Sequence, residues 1–211
     1  MSLLKIVLRS LRQHMLSTVI TAFSIALASG LLMSVWVVKD QARASFTGVD
    51  SGFDGVFGAR GSKLQLVLNS IFHLESSPGN LSWEQYERIA DDRRVATAVP
   101  IAVGDNYLGY RLVGVTTNLF DVEYREGKKY AVRDGYLFNP KKKQAVVGNF
   151  AAERLKWKVG DTFRPYHGLI FDENSDRHDE YVVCGIMEPS NTPADRVIWI
   201  PIAGLQNMAG H

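Results

Sequence analysis

The chain begins with an amphipathic segment that leads into a long uncharged one. Residues 1–12 place apolar side chains at helical spacing and carry three cations on the other side: Lys5, Arg9 and Arg12. Residues 13–38 contain no Asp, Glu, Lys or Arg. At about 1.5 Å per residue this run forms a helix of roughly 39 Å, enough to cross a hydrocarbon core of about 30 Å. The pattern predicts a short helix lying on the inner leaflet, followed by a transmembrane helix.

A cleaved signal peptide is the alternative for the apolar run, because residues 26–28 read Ala-Leu-Ala, which is typical of a processing site. The run continues to Val38, however, and this is longer than the apolar core of most signal peptides. We therefore favour a membrane anchor. The cations before the run have no acidic neighbour, whereas mixed charge follows it, so the N-terminus is predicted to be cytoplasmic and residues 39–211 extracytoplasmic.

The pattern divides the chain into four parts: a cytoplasmic segment (1–12), a transmembrane helix (13–38), a helix extension with a Gly-rich connection (39–62), and an extracytoplasmic core domain (63–211). The connection carries a series of glycines: Gly48, Gly52, Gly55, Gly58 and Gly61. The series has neither the GxGxxG nor the GxxxxGK[ST] spacing, and no predicted strand precedes it, so a close-packed or flexible connection is favoured over a phosphate loop.

Within the core domain the pattern alternates between helical and strand periods, which predicts an α+β fold. Ser82 and Gln85 have the spacing of a capping box, with a helix over 83–90. The other elements expected in the first half are a strand or short helix (63–74), a hairpin over 95–115 that turns at 104–106, and a polar excursion (121–140).

The second half is expected to contain more strands than helices. The predicted elements are a strand (144–147), a helix over 150–156 capped by Asn149, a strand (162–166), two further apolar strands (181–187 and 197–200), and a helix from residue 202. Residues 172–180, DENSDRHDE, lie between two apolar strands. Because they lack the EF-hand glycine and ligand order, a solvated hairpin tip is favoured over a calcium site.

Composition and motifs give little support to catalysis. The 24 Lys and Arg nearly balance the 22 Asp and Glu, so no nucleic-acid footprint appears. The five histidines show neither HxxxH nor HExxH spacing, and Cys184 is expected to be a buried apolar side chain. The sequence therefore predicts no catalytic, cofactor or metal residue.

The order of four stretches resembles the MacB/FtsX-like permeases of ABC transporters. They are GARGSKLQLVLN (58–69), PIAVGDNYLGYRLVG (100–114), AVVGNFAAERLKWKVGD (145–161) and VVCGIMEPSNTPADRVIWIP (182–201). The resemblance implies a membrane helix leading into a periplasmic core domain of mixed α and β structure. It also implies a separate cytoplasmic ATPase that binds ATP, a second permease subunit in a homo- or heterodimer, contact with membrane lipid, and in some systems a periplasmic or outer-membrane component. Three further membrane helices are expected in such permeases, so the chain is expected to be a fragment or a truncated form.

The resulting hypothesis is a permease subunit of the cell inner membrane. It would couple ATP hydrolysis by another chain to substrate export, lipoprotein release or signal transmission. Lys5, Arg9 and Arg12 are the predicted coupling residues on the cytoplasmic side. Tyr107, Tyr110 and Trp157 are weak candidates for contact with cargo or a partner, and a place in the core or on the sheet face is favoured for them. The competing functions are a single-pass sensor or accessory binding module, and a membrane-anchored hydrolase with acid and base residues in one pocket.

Overall fold

The computed structural model describes residues 3–47 and 52–206, in two compact units, Met1–Val49 and Asp50–His211. The first unit consists of helix α1 (Leu3–Gln13) and helix α2 (Met15–Thr47). Both predicted helices are thus confirmed, as is the extension of the long helix beyond the apolar run. Gly48 lies outside the described residues.

Helix α2 has the length and composition of a membrane span. Its segment Met15–Gln41 contains 27 residues with a mean hydropathy of 1.9, and within the described ranges no other helix meets the same criteria. Among the side chains of α2 that the structure describes, five hydroxyls donate hydrogen bonds to the carbonyl four residues earlier in the chain: Thr18, Thr21, Ser24, Ser29 and Ser34. These bonds satisfy the hydroxyl groups inside the helix itself, which makes them compatible with an apolar surrounding.

The second unit is built on one large mixed sheet. Its strands are β1 (Ile101–Tyr107), β2 (Tyr110–Val115), β5 (Val132–Gly135), β6 (Gln144–Val147), β7 (Thr162–Phe163), β8 (Tyr166–His167), β9 (Tyr181–Met187) and β10 (Ile198–Pro201). They run in the order β5-β9-β6-β10-β2-β1-β8, and β7 pairs with β9. A separate two-stranded sheet is formed by β3 (Glu123–Arg125) and β4 (Lys128–Lys129). The α+β prediction is confirmed.

Within the described residues, four α-helices accompany the strands: α3 (Lys63–Ser70), α4 (Trp83–Ala90), α5 (Asn149–Leu155) and α6 (Ile202–Gln206). Two short 3₁₀ helices, Thr117–Asp121 and Pro193–Arg196, lie between strands. Of the residues expected to form a strand or short helix at 63–74, those from Lys63 to Ser70 are helical and the last four are not. Ser82 and Gln85 form the predicted capping box, since the Ser82 side chain accepts from the Gln85 N–H and the Gln85 side chain accepts from the Ser82 N–H. The boundaries of α4 match the prediction.

Both faces of the large sheet are covered. Successive side chains of a strand point to opposite faces of the sheet, and in the central strands they belong to two separate core clusters. In β10, Ile198 belongs to the first cluster and Trp199 to the second. Ala151 of α5 and Leu205 of α6 belong to the first cluster, while Phe120 and other residues of the connecting segments belong to the second. Burial on both faces explains why the central strands appear as continuous apolar runs in the sequence.

Two predictions about the hairpin are wrong. Residues 95–100 are not part of a strand, because β1 begins at Ile101. The hairpin turns at Leu108 and Gly109, and not at 104–106, since Tyr107 pairs with Tyr110. Leu108 and Gly109 have φ values of 48° and 87°, which are typical of a tight hairpin turn whose twist matches that of the strands.

The segment 121–140 is more ordered than predicted. It contains the β3–β4 hairpin, where Tyr124 and Tyr130 stack with their ring centroids 4.6 Å apart, and strand β5, which pairs with β9 at the edge of the large sheet. Burial of the two tyrosines and the backbone pairing of β5 together account for the order of a segment that is polar in composition.

Two further predictions need correction. The residue that caps α5 is Gly148, not Asn149; a Cβ atom at position 148 would lie 2.5 Å from the Ala194 carbonyl oxygen, so only glycine fits there. The strand predicted at 162–166 is divided into β7 and β8. Pro165 lies between the two strands, and proline has no N–H to donate to a sheet.

Candidate functional site

The cytoplasmic candidates lie on α1, a helix with distinct apolar and basic sides. The Arg9 and Arg12 side chains are exposed, and Arg12 is in the last turn of the helix, where a cation interacts favourably with the helix dipole. The side chain of Lys5 lies outside the described part of the chain. The two arginines are therefore available to anionic groups, whether lipid headgroups or the carboxylates of a protein.

The three aromatic candidates of the outer domain pack together with the first core cluster. Tyr107 lies 4.9 Å from Trp157 and 5.5 Å from Phe163 between ring centroids, and Tyr110 packs against the same cluster. All three are partly buried. This arrangement agrees with the alternative role in the core, and their contact with cargo remains a prediction.

A third group, which the sequence interpretation did not bring together, consists of Asp105, His167 and His178. Asp105 of β1 is directly opposite His167 of β8 in the antiparallel register. His178 reaches the same place because its segment pairs with the other side of β8: the His178 N–H donates to the Pro165 carbonyl, and the His167 N–H donates to the Asp176 carbonyl. Three adjacent backbone segments thus each contribute one side chain. We call this group the Asp–His cluster.

The ligand-type atoms of the Asp–His cluster lie close together. Nδ1 of His167 is 3.2 Å from Nε2 of His178. Oδ1 of Asp105 is 3.7 Å from Nδ1 of His167, and Oδ2 of Asp105 is 3.4 Å from Nε2 of His178. The Asp105 carboxylate is fully buried, the His178 side chain is 7% exposed, and the His167 side chain is 43% exposed. The cluster is therefore closed on the carboxylate side and open to solvent at His167.

Neighbouring groups hold the cluster in place. The Gly168 N–H donates to Oδ1 of Asp105 over 3.1 Å, and Nδ2 of Asn106 donates to the Gly168 carbonyl over 2.8 Å. Oδ1 of Asn106 also accepts from the Gly109 N–H, which ties the hairpin turn to the same network. Burial raises the pKa of Tyr181 to about 12, and the negative charge of Asp105 adds to this shift. Asp105 is thus fixed by the strand that carries it and by the loop at 168.

The Asp–His cluster was missed because its members are far apart in the sequence. Asp105 and His167 are 62 positions apart, and the 11 positions between the two histidines do not match a helical ligand motif. One signal was present, since the predicted hairpin tip at 172–180 implies that the strands on its two sides pair. The structure contains this hairpin, but its tip is narrower than predicted: Tyr166 is bridged to Arg177, so His178 lies on an arm of the hairpin, beside His167, and not in the tip.

Two other buried titratable side chains are accounted for by packing. Burial lowers the pKa of His73 to about 4, although a hydrogen bond with the Asn69 backbone partly opposes the shift, and its ring packs edge-on against Trp199 at 5.4 Å. Burial raises the pKa of Cys184 to about 11. The Cys184 thiol is therefore protonated at neutral pH and is a poor nucleophile.

A comparison with protein families decides the general class of the molecule. The family model described as the MacB-like periplasmic core domain matches residues 16–210. The chain belongs to this family. The match includes the apolar helix as well as the sheet domain, and it confirms the resemblance to MacB/FtsX-like permeases. A MacB-like chain of this kind is a component of an ABC transporter permease, a class that is not a family of catalytic enzymes.

Solved structures give a more distant likeness. One of them is the extracellular domain of the noncanonic ABC-type transporter YknZ from Gram-positive bacteria, at 18% sequence identity and a TM-score of 0.42. The match covers 71% of this chain and 73% of that one. No curated protein shows a significant sequence match. The assignment to the family rests on the family match.

Proposed function

We propose that this MacB-like chain transmits the ATP-driven changes of a separate cytoplasmic ATPase across the inner membrane to its own outer domain. In this proposal the permease acts on substrates that are already outside the membrane, by export, by release of lipoproteins or by signalling to other proteins. The observation that carries the proposal is the single family match over residues 16–210, because it joins a membrane-spanning helix to a periplasmic core domain in one chain.

The length of α2 supports a mechanical role. Its 33 residues form a helix of about 50 Å, whereas a hydrocarbon core is about 30 Å thick. Without tilt, a length of roughly 20 Å extends beyond the hydrocarbon, and tilt would shorten this length. A continuous helix moves as one body, so a displacement at its cytoplasmic end is carried to the other side of the membrane.

The cytoplasmic contact in this proposal is made by the basic side of α1. Arg9 and Arg12 are exposed there, and Lys5 belongs to the same predicted surface. Such cations attract carboxylates of a partner as well as anionic lipid. The proposal assigns the ATP site to a separate ATPase subunit, and the Walker spacing GxxxxGK[ST] does not occur in residues 1–211.

The test replaces Lys5, Arg9 and Arg12 by alanine in the full chain and measures both recovery with its ATPase partner and membrane orientation. A matched control replaces three exposed lysines of the outer domain, Lys128, Lys141 and Lys142, and so removes the same charge. We expect recovery to fall several-fold only in the first variant. Equal recovery of the two variants, with the orientation unchanged, would exclude α1 as the coupling surface.

A further inference from the structure

We propose that the Asp–His cluster binds one divalent transition-metal ion of the zinc class. The inference goes beyond the permease role and does not depend on it. Asp105, His167 and His178 supply one oxygen and two nitrogen ligands within 4.8 Å of one another, and this is the one such group in the described ranges.

The distances fit a tetrahedral ion. Ligand atoms that lie about 2.0–2.1 Å from a tetrahedral metal are about 3.3 Å from one another. In the cluster, the two nitrogens are 3.2 Å apart, Oδ2 of Asp105 is 3.4 Å from Nε2 of His178, and Oδ1 of Asp105 is 3.7 Å from Nδ1 of His167. The last two distances involve different carboxylate oxygens, so the exposed His167 ring must move for a single oxygen to reach this spacing from both nitrogens; one ligand atom of each residue lies within 4.8 Å of the others.

The ligand types select the class of metal. Two imidazoles and one carboxylate suit Zn²⁺ and neighbouring transition ions, whereas Mg²⁺ and Ca²⁺ prefer sites made of oxygen ligands alone. Three protein ligands leave one position of a tetrahedral ion open, and the His167 side chain is 43% exposed, so solvent reaches at least one member of the cluster. A water molecule or a group from another molecule would complete the coordination.

The supporting interactions match those of known metal sites. A metal-binding carboxylate is usually oriented by a second hydrogen bond, and the Gly168 N–H provides one to Oδ1 of Asp105. The φ of Gly168 is 91°, a value that favours glycine and that brings this N–H to the carboxylate. The buried charge of Asp105 would be balanced by the metal, which reduces the cost of keeping a carboxylate out of water.

The charge around the cluster also favours cations. The hairpin segment 172–180 carries five acidic residues and one arginine: Asp172, Glu173, Asp176, Asp179, Glu180 and Arg177. Asp179 is paired with Lys143 and Glu180 with Arg164, so the negative charge that can raise the local concentration of divalent ions comes mainly from the other three acidic residues. A bound ion would join β1, β8 and the arm that carries His178, and so would fasten the hairpin to the edge of the sheet.

A hydrogen-bonded network of the same three side chains is the competing explanation. In that case a ring nitrogen of one histidine carries a proton and donates it to the facing nitrogen of the other. A metal ion would instead require both of these nitrogens to be unprotonated. The two explanations differ in a measurable way, because only the metal site gives saturable binding with one ion per chain.

The test uses the full chain without an affinity tag, purified in detergent and freed of metal with a chelator. Co²⁺ is added first, since a tetrahedral Co²⁺ site absorbs visible light, and Zn²⁺ is then used to displace it. We expect one ion per chain, and increased protection of residues 168–180 from hydrogen exchange when Zn²⁺ is bound. Failure to bind one ion per chain would overturn the proposal, whatever the outcome of the ATPase recovery experiment.

Two variants separate the ligands from the surrounding charge. His167→Gln removes an exposed ligand and should weaken Zn²⁺ binding at least about tenfold, because even indirect partners of metal ligands often contribute that much. The control Asp172→Asn/Glu173→Gln reduces the acidic charge of the hairpin and leaves the three ligands in place. Its affinity for Zn²⁺ should therefore fall less than that of His167→Gln. Equal affinity of His167→Gln and the wild-type chain, or a larger loss in the control, would contradict the assignment. Circular dichroism checks that each variant is folded.

Discussion

Acidification from pH 7 to pH 5 is expected to destabilise the outer domain through the buried imidazole of His73. Burial lowers the pKa of His73 from 6.5 to about 4 in the folded protein. Between these two values the unfolded chain binds a proton that the folded protein does not, so the free energy of unfolding falls as the pH is lowered. The stabilisation is complete above about pH 6.5 and is lost progressively down to about pH 4.

The size of the effect follows from the same pKa values. A shift from 6.5 to about 4 corresponds to about 3 kcal/mol at most, because one pKa unit is equivalent to about 1.4 kcal/mol. Over the range from pH 7 to pH 5 the loss is about 2 kcal/mol, since the folded state has not yet begun to bind the proton. A loss of this size is a large part of the stability of a typical domain.

The assay is urea denaturation of the full chain in detergent at pH 7, 6 and 5, followed by tryptophan fluorescence. Trp199, one of four tryptophans in the chain, packs against His73, so part of the emission reports on the region that is affected. Other groups also titrate in this range, and the comparison is therefore with His73→Asn. Asparagine tolerates the φ of 55° at this position and does not titrate.

The variant is expected to be less stable than the wild-type chain at pH 7, because it fills less of the buried space, but to lose about 2 kcal/mol less on acidification. The decisive quantity is the difference in pH dependence between the two proteins. If His73→Asn loses as much stability between pH 7 and pH 5 as the wild-type chain, the proton binds elsewhere and the reasoning about burial of His73 is refuted.

Two substitutions test local backbone structure in the same denaturation assay. Ser82→Ala removes the side-chain half of the capping box of α4 and should cost about 1 kcal/mol, whereas Ser82→Asp, which also caps helices, should cost much less; equal losses would contradict the capping role. Gly135→Ala should cost at least about 2 kcal/mol, because the φ is 88° and a Cβ atom would lie 2.1 Å from the Cys184 carbonyl oxygen. Gly109→Ala is the matched control, with a φ of 87° and no atom within 4 Å of the added Cβ, so a loss as large as that of Gly135→Ala would show that contact with Cys184 is unimportant.

The elements that could be predicted from the sequence are those determined by nearby residues. The apolar run of α2 sets its own length, and Ser82 and Gln85 set the start of α4 through bonds over three positions. Strand β9 was recognised because burial on both faces makes its whole length apolar. In each case the physical cause lies within the segment itself.

The cap of α5 shows where local rules fail. Asn149 is a favourable capping residue by type, yet Gly148 takes the position because the backbone of Ala194 and Asp195 passes too close for any side chain. Asn149 instead bonds with Arg133 and Glu153. The deciding contact comes from a segment more than 40 positions away in the sequence, which local patterns do not reveal.

The misplaced hairpin turn also contributed to the missed Asp–His cluster, in addition to the distance of its members in the sequence. Gly104-Asp105-Asn106 has the composition of a turn, because the side chains of Asp and Asn usually bond to the nearby backbone or to water. Here Asp105 and Asn106 are fully buried in a strand, and their side chains bond to the backbone of Gly168. Sequences tend to depart from local preference where a site requires it. Turn-forming residues held inside a strand, beside two histidines, are thus a second reason to test this position for a ligand.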